Sequence, residues 1–238
     1  MTTIYRAEYD SDTNNRYQID ILDSSGDPAD MRTFYTDASG FVQNLRGNAS
    51  DPLTRIIPST GTITFMVANA SHEEFITDLA ENPESTYWMQ VKKNSELMFV
   101  GKIFVDDVVI EDLPYPYGFQ LSASDGLGPL KEVEFDPTDI GPPTTLLDYV
   151  FRCLALANTE DYYWTGLDYV KCSANWYDTN HSGATIDPLE NTYLHRTVFL
   201  NAETTEDGYK SCWDVLTAIL QQFNMRMFHS GGCYILEQ

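Results

Sequence analysis

The chain has 238 residues, with 14 Lys and Arg against 36 Asp and Glu, a formal net charge of -22 and a pI near 4.2. A chain of this length buries roughly 70% of its unfolded surface on folding, so its core needs neither a disulfide nor a metal. So acidic a surface repels phosphate backbones, which argues against direct sequence-specific nucleic-acid binding, and no segment reaches the ~18 apolar residues of a bilayer span.

Aromatic residues make up 13% of the chain, with 15 Tyr, 12 Phe and 4 Trp, and hydrophobic residues 42%. That is a globular composition. Residues 1–12 lack a basic start followed by an apolar run, so a secretory signal is not expected. The cysteines Cys153, Cys172, Cys212 and Cys233 show no CxxC pair, which fits free thiols and a cytosolic site of assembly.

In chain order, residues 4–9 and 16–22 alternate with period two around an Asp- and Asn-rich stretch, which predicts a β-hairpin. Asp10, Asp12 and Asn14 have the spacing of a calcium loop, but Asn15 replaces the needed glycine and Ile21 stands where a bidentate Glu belongs. Residues 30–52 are polar with few periodic apolar positions and read as a loop or irregular edge. Gly61 to Val67 is a strong strand, and Ser71 with Glu74 reads as a capping box for a short amphipathic helix ending before Pro83. Residues 86–92 and 97–105 flank a Lys93-Asn94-Ser95-Glu96 turn and predict a second hairpin.

Val100, Ile103, Val105 and Val108 to Ile110 are β-branched and crowded, as a half-buried antiparallel pair requires. A further strand, Phe119 to Ala123, runs into the corner Asp125-Gly126-Leu127-Gly128-Pro129. Its glycines allow a tight backbone, and Asp125 can satisfy turn amides with its side chain. Residues 137–143 form a proline- and glycine-bearing boundary. Thr144 or Thr145 then caps a helix whose apolar stripe is Leu146, Leu147, Val150, Leu154 and Leu156. Residues 159–208 are aromatic and polar without a sustained period. Ser211 and Asp214 cap another helix, with Val215, Leu216, Ile219, Leu220 and Phe223 as its buried face. Two β-runs close around His229-Ser230-Gly231-Gly232, and the last is expected to pair at a sheet edge or to continue in a longer chain.

The residues hold no catalytic signature: no G-x-S-x-G elbow, HExxH, phosphate loop or dinucleotide fingerprint. His72 belongs to a helix's first turn and His229 to a turn. Cys172, His181 and His195 share no ligand spacing, and read more simply as a buried cysteine and two surface histidines. Asp106-Asp107, Glu111-Asp112 and Glu203 to Asp207 read as solvated strand ends and loops. No catalytic, cofactor or metal site is therefore expected. Tyr162, Tyr163, Trp164, Trp176 and Tyr177 form the one aromatic concentration without a core-like period, a candidate platform for a sugar or a protein partner.

The order Val100-Gly101-Lys102-Ile103, then Leu121-Ser122-Ala123-Ser124-Asp125-Gly126-Leu127-Gly128-Pro129-Leu130-Lys131, resembles the tail-tip or baseplate hub proteins of tailed bacteriophages and prophages. In that family a similar corner closes a strand of a small barrel. The resemblance implies a non-enzymatic virion component, assembled in the host bacterial cytoplasm. It would form a ring at the distal end of the tail tube, commonly a homotrimer, and contact tube, distal-tail, tip or fibre proteins. Its acidic surface would face those neighbours or the channel that DNA crosses. Hub proteins are usually longer than this chain. The runner-up is a carbohydrate- or receptor-binding tail module using the aromatic section.

The expected architecture is α+β and mostly β. A small barrel-like antiparallel domain with one short helix (1–136) precedes a mixed subdomain with two helices (137–238).

Overall fold

The structure, a computed structural model, describes residues 1–23, 31–46, 54–81, 87–104, 114–138, 141, 143–156, 170–173, 188–201 and 208–238. It is α+β and mostly β. Residues 1–46, 59–125 and 230–232 form one compact unit, and residues 47–58, 126–229 and 233–238 a second.

The first unit holds β1 (Thr2–Asp10), β2 (Arg16–Asp23), β3 (Arg32–Thr33), β4 (Thr36–Leu45), β6 (Ser59–Val67), β7 (Tyr87–Lys93), β8 (Glu96–Phe104), β9 (Tyr117–Ser124) and the helix α1 (Ala70–Glu81). The sheet order is β3-β1-β2-β7-β8-β9-β6-β4. Its two end strands are separated only by Phe34 and Tyr35. Phe34 N donates to Arg6 O at 3.0 Å, while Tyr35 O accepts from Met66 N at 2.9 Å. One short stretch therefore bonds to both β1 and β6, and the sheet is strongly curled. It is not a closed barrel, since β3 pairs with β1 through only Tyr5↔Arg32 and Arg6↔Thr33.

Alternation sends one face of each strand inward. In β6 the pattern is strict, with Gly61, Ile63, Phe65 and Val67 buried between half-buried neighbours. Ile19, Ile21, Met89, Val91, Phe99, Ile103 and Leu121 join them, and α1 adds Phe75, Ile76 and Leu79 to the same core. Phe99 fills the space that two glycines leave. A Cβ on Gly61 or Gly101 would lie 2.7 Å from its ring, closer than packed atoms tolerate.

Three expectations are corrected in this unit. Residues 36–45 form a ten-residue strand rather than an irregular edge. They pair only with β6, through a bulge that skips from Thr36↔Phe65 to Phe41↔Ile63, so the strand lies at an edge, largely exposed, and shows no alternation. The helix cap is Asn69, not Ser71: Asn69 Oδ1 accepts from His72 N at 3.1 Å and from Ser71 Oγ at 2.7 Å. The turn between β7 and β8 is only Asn94-Ser95, both left-handed at φ 51° and 69°, because Lys93 and Glu96 already pair as strand residues.

The β1–β2 hairpin carries one buried charge on its outer side. Asp20 is only 2% exposed and accepts from Arg6 Nε at 2.6 Å, Arg6 Nη2 at 3.2 Å and Gln18 Nε2 at 2.6 Å. Arg6 is one-third exposed, so part of its charge is solvated when the pair breaks. Asp20→Ala is expected to cost about 2 kcal/mol in urea denaturation, less than the loss of a fully buried pair.

The second unit contains β5 (Ile56–Ile57), β10 (Thr144–Thr145), α2 (Leu146–Leu156), β11 (Val170–Ser173), a single helical turn (Pro188–Asn191), β12 (Tyr193–Leu194), the helix α3 (Cys212–Gln222), and β13 (Arg226–Ser230) and β14 (Cys233–Glu237). Both long helices start as their sequences dictate. Thr145 Oγ1 accepts from Asp148 N at 3.1 Å, and Asp148 Oδ2 accepts from Thr145 N at 3.1 Å, a reciprocal cap. Ser211 Oγ accepts from Asp214 N at 3.2 Å. The buried stripe of α2 is Leu146, Tyr149, Val150, Cys153 and Leu154, so Leu147 and Leu156 are displaced from the face expected of them by Tyr149 and Cys153. The stripe of α3 is Cys212, Val215, Leu216, Ile219 and Leu220, and the two helices pack together.

A mixed sheet, ordered β11-β14-β13-β5, completes the unit. The expectation that the last strand sits at a sheet edge is overturned. β11 adds in parallel to β14, from Val170↔Tyr234 to Ser173↔Glu237, so β14 is an interior strand. Its hairpin turn is also shorter than expected. His229 and Ser230 belong to β13, and only Gly231 and Gly232 turn, with φ of 60° and 76°.

Candidate functional site

The corner after β9 is built around one carboxylate. Asp125 is 2% exposed and Ser59 fully buried. Asp125 Oδ2 accepts from Ser59 N at 2.6 Å and from Ser59 Oγ at 3.0 Å, while Asp125 N donates back to Ser59 O at 3.2 Å. Residue 59 is where the chain re-enters the first unit after residues 47–58, and residue 125 ends that stretch. The side chain thus fastens an incoming and an outgoing strand at one point.

Gly126 and Gly128 differ in role. Gly126 has φ 85°, a left-handed backbone that only glycine adopts without strain. Gly128 has φ -60° and ψ -51° at the start of a short 3-10 turn, Pro129–Lys131. A Cβ built there meets nothing within 4 Å, so the tight-backbone role expected of both glycines falls on Gly126 alone. Gly126→Ala is expected to lose about 1 kcal/mol and Gly128→Ala to gain about 0.5 kcal/mol by restricting the unfolded chain. Paired thermal melts that moved together would contradict this.

Beyond the corner, Leu127, Leu130 and Phe135 are buried. Phe135 joins Tyr149, Phe199 and Tyr209, with ring centroids 5.0 to 6.0 Å apart. Lys131 Nζ lies 4.5 Å above the Trp213 ring. This aromatic group is a core of the second unit, which the sequence did not mark because its members come from four separate segments.

The described histidines do not gather. His72 is buried in the first turn of α1, where its Nδ1 accepts from Ala68 N at 3.3 Å and its ring meets Tyr5 and Phe65 edge-on. His195 caps the 3-10 turn Arg196–Phe199, accepting from Thr197 N. His229 is buried against Tyr234, and its pKa is lowered to about 4 by desolvation. Cys172 is half-buried on β11 rather than buried. Among the described residues, no group of three or more His, Cys, Asp and Glu could hold a metal ion, and no helix is long and apolar enough to cross a membrane. His181, the acidic runs at 106–107, 111–112 and 203–207, and the candidate platform Tyr162, Tyr163, Trp164, Trp176 and Tyr177 lie outside the described residues.

No family model matches the chain, and no curated protein does. Among solved structures it is similar to the 43 kDa tail protein of prophage MuSo2 from Shewanella oneidensis. The identity is 12% and the TM-score 0.42, over 83% of this chain and 55% of that one. The chain thus spans about half the length of that protein.

The chemistry of the corner is that of an anchor. Ser59 Oγ donates directly to a carboxylate, with no imidazole between them to take its proton, so the pair is not an activated nucleophile. Ser59 itself was not visible as a site residue. It stands 66 positions from Asp125, and nothing local distinguishes it from any other strand serine.

Proposed function

We propose that this chain is a structural, non-catalytic component of a bacteriophage or prophage tail, and within it a tail-tip or baseplate hub protein. The observation that supports this reading is the placement of the two halves of the hub-like sequence. Val100–Ile103 lies on β8 and Leu121–Ser124 on β9, and these strands pair directly, with Lys102↔Ser124 and Ile103↔Ala123 in register. The Asp125 corner follows at once.

In this reading copies of the chain assemble into a homotrimeric ring that joins the tail tube to distal-tail, tip or fibre proteins in the virion. The net charge of -22 suits a surface that meets basic patches on those neighbours and does not retain DNA. Light scattering and electron microscopy of the purified chain, alone and with a tail-tube protein, test it. A threefold particle is expected. A stable monomer that binds glycans but no tail protein would favour the receptor-binding alternative and overturn the hub reading.

A further inference from the structure

The outer face of the first unit's sheet changes character from one side to the other. On β1 and β2 it carries Arg6, Glu8, Asp10, Arg16 and Asp20. Around β6 it is different: the ladder sets Thr60 between Asn44 and Ser124, and Thr62 between Val42 and Ser122. These six side chains are half-buried or exposed and none carries a charge, in a chain with 36 Asp and Glu. The one acid of β4, Asp37, lies at the far end of this face, where Thr64 Oγ1 donates to it at 2.9 Å. At the near end stand two cations, Lys102 on β8 opposite Ser124 and Arg46 directly after β4. Neither makes an ion pair among the described residues. Beside them the backbone edge of β4 is open. Leu45 lies opposite Ser59, whose N and O are both bonded to Asp125. The amide and carbonyl of Leu45 therefore point away from β6, as do those of Gln43 two residues back.

We propose that this face is the docking surface for the next copy of the chain in the ring, which brings a carboxylate-rich part of its own surface against Lys102 and Arg46. The reason is charge. Two chains of formal net charge -22 repel wherever acid meets acid, and like charges set against each other at a contact are strongly unfavourable. A second copy must therefore be met by a surface without carboxylates. This face has none at its middle and ends in two cations that no carboxylate of the described residues neutralises. The Thr and Ser hydroxyls and the Asn44 amide supply hydrogen-bonding groups, and Val42, 43% exposed, an apolar contact. At the rim, the outward backbone of Gln43 and Leu45 offers donors and acceptors to an extended segment of the neighbour. With an acidic surface on one side and an uncharged to basic one on the other, the contact is head-to-tail, and such contacts repeat until they close a ring. The inference rests on the ring reading and says where each copy takes hold of the next.

The test uses the full chain, with sedimentation velocity read over a concentration series. Lys102→Glu and Thr62→Glu are each expected to weaken assembly roughly tenfold or more. Lys92→Glu, the same reversal of charge on β7, should leave it as in the wild type. A second measurement needs no variant to fold. Wild-type copies with and without heavy-nitrogen labelling are mixed and treated with a carbodiimide that joins amines to carboxylates. A peptide linking Lys102 of one label to an Asp or Glu of the other is expected. Assembly unchanged in Lys102→Glu and Thr62→Glu, with no link between copies at Lys102, overturns the proposal and leaves the ring reading standing. A wild-type chain that stays monomeric at every concentration overturns both, and a face that takes up a tail-tube protein but not another copy overturns the choice of occupant. An assembly that is not threefold, yet is dispersed by both variants, supports the docking surface and sinks the ring.

Discussion

Replacing Asp125 by alanine is expected to destabilise the first unit by about 4 kcal/mol, the largest single-residue effect foreseen for a polar side chain here. The carboxylate is buried and accepts from both Ser59 N and Ser59 Oγ. Removing it strips two charge-assisted bonds and leaves two donors in a place that water does not reach, each worth roughly 1.5–3 kcal/mol. Asp125→Asn keeps an acceptor and should lose about half as much. Urea denaturation gives the answer: the midpoint should fall with the slope unchanged. A loss below about 1 kcal/mol for the alanine variant would mean that the corner is held by something other than this anchor.

The second large effect is a pH dependence centred on His229. Its pKa in the folded state is lowered to about 4 by burial, against an ordinary value of about 6.5 in the unfolded chain. Above pH ~6.5 both states hold a neutral imidazole and nothing is lost. Between pH ~6.5 and ~4 only the unfolded state takes the proton, so stability falls by about 3 kcal/mol across that window. The lowered carboxyl groups of Asp37, Asp136 and Asp148 act at lower pH, where protons begin to bind their unfolded forms. They therefore leave the upper part of the window to the histidine. Denaturation midpoints of the wild type and His229→Gln, compared from pH 7 to pH 4.5, isolate it. The variant should lose most of the slope whatever its stability at neutral pH, and parallel curves would refute the assignment.

The elements that could be read from the sequence are those whose signal is local. β6 shows strict alternation because one face meets the core of the unit, and α2 and α3 carry both a capping pair and an apolar stripe. The paired glycines at 231 and 232 announce their turn. β4 was invisible because it is a strand by pairing alone. Its exposed residues and the bulge at 37–40 erase the period, and only the ladder to β6 defines it. The interior place of β14 is hidden for a similar reason, since its outer neighbour β11 comes from a stretch with no period of its own.

The site follows the same division. Asp125 was recognisable as a turn residue, but its partner is distant in sequence, and no local rule selects Ser59. Gly126 and Gly128 look alike in the sequence and differ only in backbone angle, which the fold decides.

The short strand β5 has a consequence for the order in which this protein is made. Ile56 and Ile57 pair with Met227 and Phe228, and Arg55 Nη1 reaches Met225 O, 170 positions further along the chain. On the ribosome these residues emerge well before their partners, which follow about 170 positions later. The first unit's strands through β9 are available long before, so it can fold while the segment holding Ile56, an apolar residue destined for complete burial, waits without its neighbours. That interval is when the nascent chain is most exposed to wrong pairing, and slower translation would lengthen it.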